Sequence, residues 1–507
     1  MKKFNKNYIY YHLVVDFIVI FFIVFCLFTE FFSDGEVPIN EETLSKIILY
    51  FSIIFVVVYA VKTVYSIFYY KTSGYELKNE KIECQRGVLF KKKSILEYRK
   101  IHAVNKKQNL FHRLFKIAVL TLDSGSANTG HTAEILIVEN DKEVDRLLEE
   151  IKLRQSGKIC DDEEVEIKTE EKENLYEFNA KSKFLYSLIN AVTTLIVLFA
   201  LSFIVLIVFG LGLPFLLKYI RNEDFNIIIA VVLYVLLGYL GISVFAFIIN
   251  ILVSFVSYYK FRVYRNENDI EINYGLFVNN NNTFKLNKIK GVVITQNLIQ
   301  KLFKFVSVKL EVIGYTEGSN ENNTNNTIGV LFPLCKESEV NENISKVLPS
   351  YVPDIKEEKA KKYFPFISWT SFFTLVFSGL TILIIALELV VFKVSNDVVL
   401  TVVLILTLVT LLILAFILIC GLFEYFNNGI TVNGDKLTII NGGFTKKTTV
   451  INRKHVIGIE NITTPFRKKA GIYSFKIHFR ANDQSNVIVL KNVDESLVEK
   501  LRNIVIY

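Results

Sequence analysis

The sequence predicts an α+β membrane protein: six transmembrane helices in three hairpins, alternating with three small β-rich domains that each close with a C-terminal helix. Three observations carry this. Long apolar runs come in close pairs, a polar stretch of about a hundred residues follows each pair, and the polar stretches align on one another without gaps. Composition agrees: 51% of the residues are hydrophobic and 21% are charged, so lipid-facing segments alternate with long water-exposed ones.

The paired runs are Leu13 to Phe28 with Ile47 to Tyr70, Leu185 to Leu217 with Ile227 to Ser257, and Phe364 to Phe392 with Val398 to Phe423. Each meets the roughly 20 residues that an α-helix needs to cross a hydrocarbon core. The predicted boundaries are hairpins at 1–70, 184–258 and 353–426, domains at 71–160, 259–352 and 427–507, and an acidic linker at 161–183. Thr29-Glu30-Phe31-Phe32 offers no small-residue cleavage site, so the first run reads as an uncleaved span. Residues 71–116 hold thirteen Lys or Arg against four Glu, directly after the second span. The positive-inside rule then places both termini and all three domains of this multi-pass membrane protein in the cytoplasm. Tyr8, Tyr10, Tyr11, Tyr69, Tyr70, Tyr258, Tyr259, Tyr363 and Trp369 would lie at that interface.

Gly87, Gly275 and Gly442 set the repeat register, between what read as the first two strands of each domain. In that register Lys100-Ile101-His102-Ala103-Val104 falls on Lys288-Ile289-Lys290-Gly291-Val292. Gln108-Asn109-Leu110-Phe111-His112-Arg113-Leu114-Phe115-Lys116 falls on Gln296-Asn297-Leu298-Ile299-Gln300-Lys301-Leu302-Phe303-Lys304. The third counterpart, Thr463 to Gly471, diverges, with Pro465 in place of Leu. Apolar residues alternate at period two, as at Phe475, Ile477 and Phe479, which predicts strands. Stripes at helical spacing close each copy: Val144, Leu147, Leu148 and Ile151; Val340, Ile344, Val347 and Leu348; and, after Asp494, Leu497, Val498, Leu501, Ile504 and Val505.

These segments, with span pairs alternating along the chain, resemble the membrane-flanked bacterial pleckstrin-homology (PH) domains of YdbT-like membrane proteins. The resemblance implies a split β-barrel with a C-terminal helix, a plasma-membrane location and a smaller membrane protein with a single PH-like domain as companion. It supplies no catalytic residues. It also implies a membrane-surface binding and scaffolding role, in envelope stress or resistance to membrane-active antimicrobials; a transporter or lipid-moving protein gated by the domains is the alternative.

No nucleotide-binding loop, zinc-protease helix or nucleophile elbow is present, so no enzyme is expected, and no cofactor or metal. Cys26, Cys84, Cys160, Cys335 and Cys420 show no paired spacing. Lys91, Lys92 and Lys93 at the first hairpin tip, with Arg99, Lys100, Lys106, Lys107 and Arg113, form a basic cluster. It reads either as a solvated face obeying the positive-inside bias or as a contact for anionic lipid headgroups, each Lys or Arg contributing on the order of 1 kcal/mol near the surface; a protein partner is the third reading. Aromatic and basic residues do not interleave as nucleic-acid stacking requires. Within the spans, Asp16 and Lys62 fall at one depth and would pair or snorkel separately; Asn190 and Asn250 would hydrogen-bond across the second hairpin. The acidic run 161–177 reads as a solvated linker, or as a strand folding back on the basic face.

Overall fold

The computed structural model describes residues 1–33, 41–124, 135–155, 173–196, 198–199, 225–312, 329–354, 358–359, 376, 378–379, 382, 415–416, 419–463, 465–469, 471–479 and 486–494. The chain divides into two compact units, one of Met1–Glu173, Tyr264–Lys288 and Gly314–Thr324, the other of Asn174–Val263, Ile289–Ile313 and Asn325–Tyr507. The division runs through the second repeat.

In the first unit a short strand β1 (Lys2–Lys3) precedes two long helices, α1 (Asn7–Ser33) and α2 (Glu41–Thr72), and β2 (Gly74–Leu77) follows at once. Asn7–Glu30 and Leu44–Thr72 are long and apolar enough to cross a membrane, with mean hydropathy 2.6 and 2.3. β1 pairs antiparallel with β2, Lys2 opposite Tyr75. Phe4 is buried in the core of the first domain, and the Asn5 amide donates to the Val138 carbonyl at 2.9 Å. The start of α1 and the end of α2 therefore meet at one domain.

β3 (Lys81–Arg86) and β4 (Lys92–Glu97) complete a sheet ordered β1-β2-β3-β4. Because β2 comes first, Gly87 turns the second strand of the domain into the third. A four-residue strand hard against a span carries no punctuation of its own, which is why it does not stand out in the sequence. The first domain continues through β5 (Ala103–Gln108), a single helical turn α3 (Leu110–Leu114), β6 (Ile117–Asp123), β7 (Ile135–Asn140) and α4 (Asp141–Gln155). β6 buries Ala118, Leu120 and Leu122 and leaves Val119 and Thr121 half-buried, a period of two. α4 presses Val144, Leu147, Leu148 and Ile151 into the same core. Each such side chain contributes roughly 1.5–3 kcal/mol on burial. Asp141 and Glu143 in its first turn, with Lys152 and Arg154 in its last, suit the helix dipole.

The sheet does not stop at β5. Its other side pairs antiparallel with β11 (Asn279–Lys285) of the second repeat, from Asn279 opposite Gln108 to Phe284 opposite Ala103, and β10 (Asp269–Tyr274) lies beyond. In the second unit β12 (Ile289–Gln296) meets β18 (Lys446–Asn452) of the third repeat in the same way, from Lys446 opposite Gln296 to Ile451 opposite Gly291. Gln108 and Gln296 are repeat equivalents, as are Asn279 and Lys446, so the two seams share one register. Consecutive repeats are thus joined edge to edge through their backbones.

The second unit holds β8 (Glu173–Glu177), a helix at 180–196, α5 (Phe225–Ser257) and β9 (Arg262–Arg265). Within α5, Leu237–Ser257 is a further span by length and hydropathy. Then come α6 (Leu298–Leu302), β13 (Phe305–Val312), β14 (Val330–Lys336), α7 (Val340–Val347), β15 (Glu358–Lys359), β16 (Gly429–Asn433) and β17 (Lys436–Asn441). One sheet runs β14-β13-β12-β18-β17-β16-β15; β19 (Val456–Ile462), β20 (Ile472–Phe479) and β21 (Asn486–Asp494) form another. A short turn, α8 (Pro465–Lys469), separates β19 from β20. The core of the third domain gathers Leu437, Ile439, Ile451, Phe475, Ile477 and Leu490. Of the acidic linker, Glu173–Glu177 is a strand that docks on the second repeat: Tyr176 donates to the Leu334 carbonyl at 3.0 Å and Glu177 meets Arg262 at 3.1 Å. Residues 161–172 of the linker, the third span beyond residue 199, nearly all of the third hairpin, the Asn-rich stretch Ser319 to Thr327 and the expected helix after Asp494 lie outside the described residues.

Candidate membrane-surface site

The Gln-Asn-Leu segment builds the same knob twice. Asn109 caps α3: its side chain accepts from the His112 amide at 2.9 Å, while His112 Nδ1 accepts from the Asn109 amide at 3.4 Å. Asn297 and Gln300 repeat the reciprocal cap at 2.7 and 2.9 Å. Gln108 and Gln296 each donate across the turn, to the carbonyls of Ile117 and Phe305, both at 3.1 Å. The turn ends in a left-handed residue, Lys116 (φ 54°) or Lys304 (φ 56°), for which the third repeat has Gly471 (φ 66°).

With its polar atoms satisfied, the turn points its leucines outward. Leu114 is 71% exposed and Leu302 77%, and Leu110, Phe111 and Leu298 are exposed beside them. In the first unit this knob sits at the head of α1. The Asn7 side chain donates to the Phe115 carbonyl at 2.9 Å, and Tyr11 packs on His112 with ring centroids 4.5 Å apart. Apolar side chains exposed beside the head of α1, with Arg113 and Lys116 exposed around them, make one apolar–basic surface.

The β3–β4 turn is a second prominence. Its tip is Leu89 (85% exposed) and Phe90 (91%), not the lysines, and Lys92 and Lys93 belong to β4. In the third repeat the residue equivalent to Leu89 is Phe444, which packs on Phe416 and Phe423 at 5.7 and 5.2 Å, within the sixth apolar run.

The basic cluster separates under geometry. Lys91, Lys92, Arg99, Lys107 and Arg113 are exposed. Lys93 is paired with Glu83 at 2.9 Å, Lys106 with Asp141 and Asp145 at 2.8 and 2.6 Å, and Lys100 with Glu97 at 2.8 Å. Hydrogen bonds from Lys78 and Lys93 hold the Glu83 carboxyl down at about 2. The equivalent Glu271 accepts from Asn281, the equivalent of Lys93, at 2.9 Å. Lys93 is therefore a structural partner repeated as an amide in the second copy.

Most of the chain matches the bacterial PH domain family, over residues 19–153, 192–342 and 381–507. The chain belongs to the bacterial PH domain family. It is also similar to the UPF0699 transmembrane protein YdbT of Bacillus subtilis (strain 168), 20% identical over 447 residues that cover 85% of this chain and 84% of that protein. No solved structure matches significantly. All three matched segments begin inside the first apolar run of a pair, so each match takes in apolar sequence as well as the polar domain that follows.

The intramembrane residues find other partners. Asp16 accepts from Ser66 at 3.4 Å and lies 3.7 Å from His12, while Lys62 lies over the Tyr65 ring at 5.7 Å, so Asp16 and Lys62 do not form a salt bridge. Asn250 does bond across its hairpin, but to Thr194 at 2.9 Å; Thr194 in turn donates to the Asn190 carbonyl at 3.1 Å. Thr194, one turn after Asn190, is the relay that residue-by-residue depth matching overlooks. Among the described residues no three His, Cys, Asp or Glu side chains are grouped to hold a metal.

Burial lowers the His112 imidazole to about 4, and Lys107 and His12 act in the same direction. The unfolded chain, titrating near 6.5, then binds a proton that the folded chain refuses between about pH 6.5 and 4. This contribution is complete above pH 6.5 and is lost as pH falls toward 4. Unfolding free energy in detergent should drop about 2 kcal/mol between pH 7 and pH 5 on this account. His112→Gln, which installs the capping residue of the second repeat, should flatten that slope; an unchanged slope would assign it to other groups.

Proposed function

We propose that this protein is a non-enzymatic scaffold of the plasma membrane, multi-pass, with both termini and its three PH domains on the cytoplasmic side. It reads the membrane surface through the apolar–basic knobs, with Lys91, Lys92, Lys107 and Arg113 toward anionic headgroups. The observation that carries this reading is α3, whose exposed leucines and basic residues are tied by Asn7 and Tyr11 to the head of the first span. A smaller membrane protein with a single PH domain is its proposed companion, and envelope stress or attack by membrane-active antimicrobials the setting in which the scaffold acts. A transport path gains nothing from the described spans, where Asp16 and Asn250 are occupied by neighbouring helix residues.

The test is depth. Single bimane-labelled cysteines at Leu114 and Phe90, in the full chain reconstituted into liposomes, should be quenched by nitroxide on lipid tails near the interface. Quenching should be stronger when a third of the lipid is phosphatidylglycerol, and Lys91→Ala with Lys92→Ala should remove that increment at Phe90. Labels open to iodide and untouched by lipid nitroxide would show that the knobs face water.

A further inference from the structure

Among the described residues, the two seams leave two matching edges without a paired strand. Each seam joins the third-strand edge of one repeat to the fourth-strand edge of the repeat before it, and three repeats make only two such joints. β4 of the first repeat and β19 of the third each lie at the end of their sheets. They are equivalents of the two strands that a seam brings together.

Burial shows what is missing. Ile95 on β4 is 53% exposed, whereas its equivalents Thr283 and Val450 are buried inside the seams. Their cross-strand partners are Val104 and Val292, also buried. The equivalent of those valines on β19 is Ile459, only half-buried, with Ile457 and Ile462 exposed on the same strand. An exposed isoleucine on an open edge is ordinarily guarded against pairing, and Lys92 and Lys93 look like such guards. Their equivalents in the third repeat, Lys447 and Thr448, sit inside a formed seam opposite Thr295 and Ile294, so lysine on this strand does not prevent pairing.

We propose that β4 of one molecule pairs antiparallel with β19 of a second copy of this chain, in the register of the internal seams. Ile95 then lies opposite Ile459, and Lys93 opposite Asn461. The contact is heterologous: each molecule offers a β4 in its first repeat and a β19 in its third, so copies add head to tail into a ring or a row within the membrane. A second copy is the occupant because the chain itself carries both halves of the joint. Ile95 opposite Ile459 supplies the β-branched cross-strand pair that Val450 and Val292 supply inside.

The experiment cross-links the full chain in proteoliposomes. Ile95→Cys carries one affinity tag and Ile459→Cys another, and the two are reconstituted together and oxidised. A disulfide joining both tags, at least tenfold more abundant than with Ile95→Cys and Glu460→Cys, whose side chain turns to the opposite face, is the expected result. A cross-link found only within single chains of an Ile95→Cys, Ile459→Cys double variant would mean that the molecule closes on itself, and overturns the proposal. So would absence of any linked product. As a readout independent of cysteine, Ile95→Asp should weaken self-association of the wild-type chain at least tenfold by mass photometry in detergent, with its melting curve unchanged; unaltered association would also overturn it.

Discussion

Replacing Val450 by Asp is expected to destabilise the protein by about 4 kcal/mol, because it buries a charge with no partner. Val450 is fully buried, and β18 pairs with β17 on one side and with β12 of the preceding repeat on the other. Its cross-strand neighbours are Val292 and Thr438, neither of which can pair with a carboxylate by charge. The damage should cross the seam, since Val292 belongs to the second repeat. Proteolysis of the purified chain should therefore open sites in 289–312 together with sites in 436–452. Ile95→Asp, the same change at the equivalent exposed position of the first repeat, should stay within about 0.5 kcal/mol. Melting by circular dichroism in detergent compares the pair directly. Equal losses at the two positions would mean that burial at the seam is not what holds these strands.

The contrast shows which parts of the fold a sequence exposes. Period-two alternation identifies β18 as a strand, and ungapped alignment identifies it as the counterpart of β4 and β11. Neither says which strand lies on its far side, because backbone pairing leaves no trace in side-chain pattern. The seams were thus illegible, although Gly87, Gly275 and Gly442 fixed the alignment that makes them equivalent. The basic cluster was legible as composition only. Glu83 comes from the adjacent strand, while Asp141 and Asp145 come from a helix more than thirty residues away, and these decide that Lys93 and Lys106 are structural. Leu110 and Leu114 were visible as a repeated motif, but apolar residues in a repeated motif ordinarily mark a core. Their exposure follows from the reciprocal Asn109–His112 cap, which closes the turn without them. For Asp16, depth along the helix matched it to Lys62, yet rotation about the helix axis delivered it to Ser66 and His12.

The repeated glycine supports the second large prediction, Gly275→Ala. Gly87, Gly275 and Gly442 have φ of 107°, 111° and 116°, a region that side chains other than glycine's hydrogen scarcely enter. Strain of that kind costs about 1–3 kcal/mol. Space adds to it: a Cβ at Gly275 would stand 1.9 Å from the Val278 carbonyl oxygen, and at Gly87 2.1 Å from that of Phe90. These are backbone atoms of the same tight turn, so the clash is relieved only by opening the hairpin. A loss of about 3 kcal/mol or more is expected for Gly275→Ala, measured by urea unfolding in detergent. Position matters for its consequences. The turn after Gly275 starts β11, whose Asn279 to Phe284 carry the seam to β5. Opening it should therefore loosen the first repeat as well, and speed amide exchange at Val104 and Asn105. Gly443, one residue beyond the third turn glycine, has nothing within 4 Å of a built Cβ and tolerates Ala as the internal control. If Gly275→Ala proved no more damaging than Gly443→Ala, the turn would have a freedom that its φ and its carbonyl contact deny.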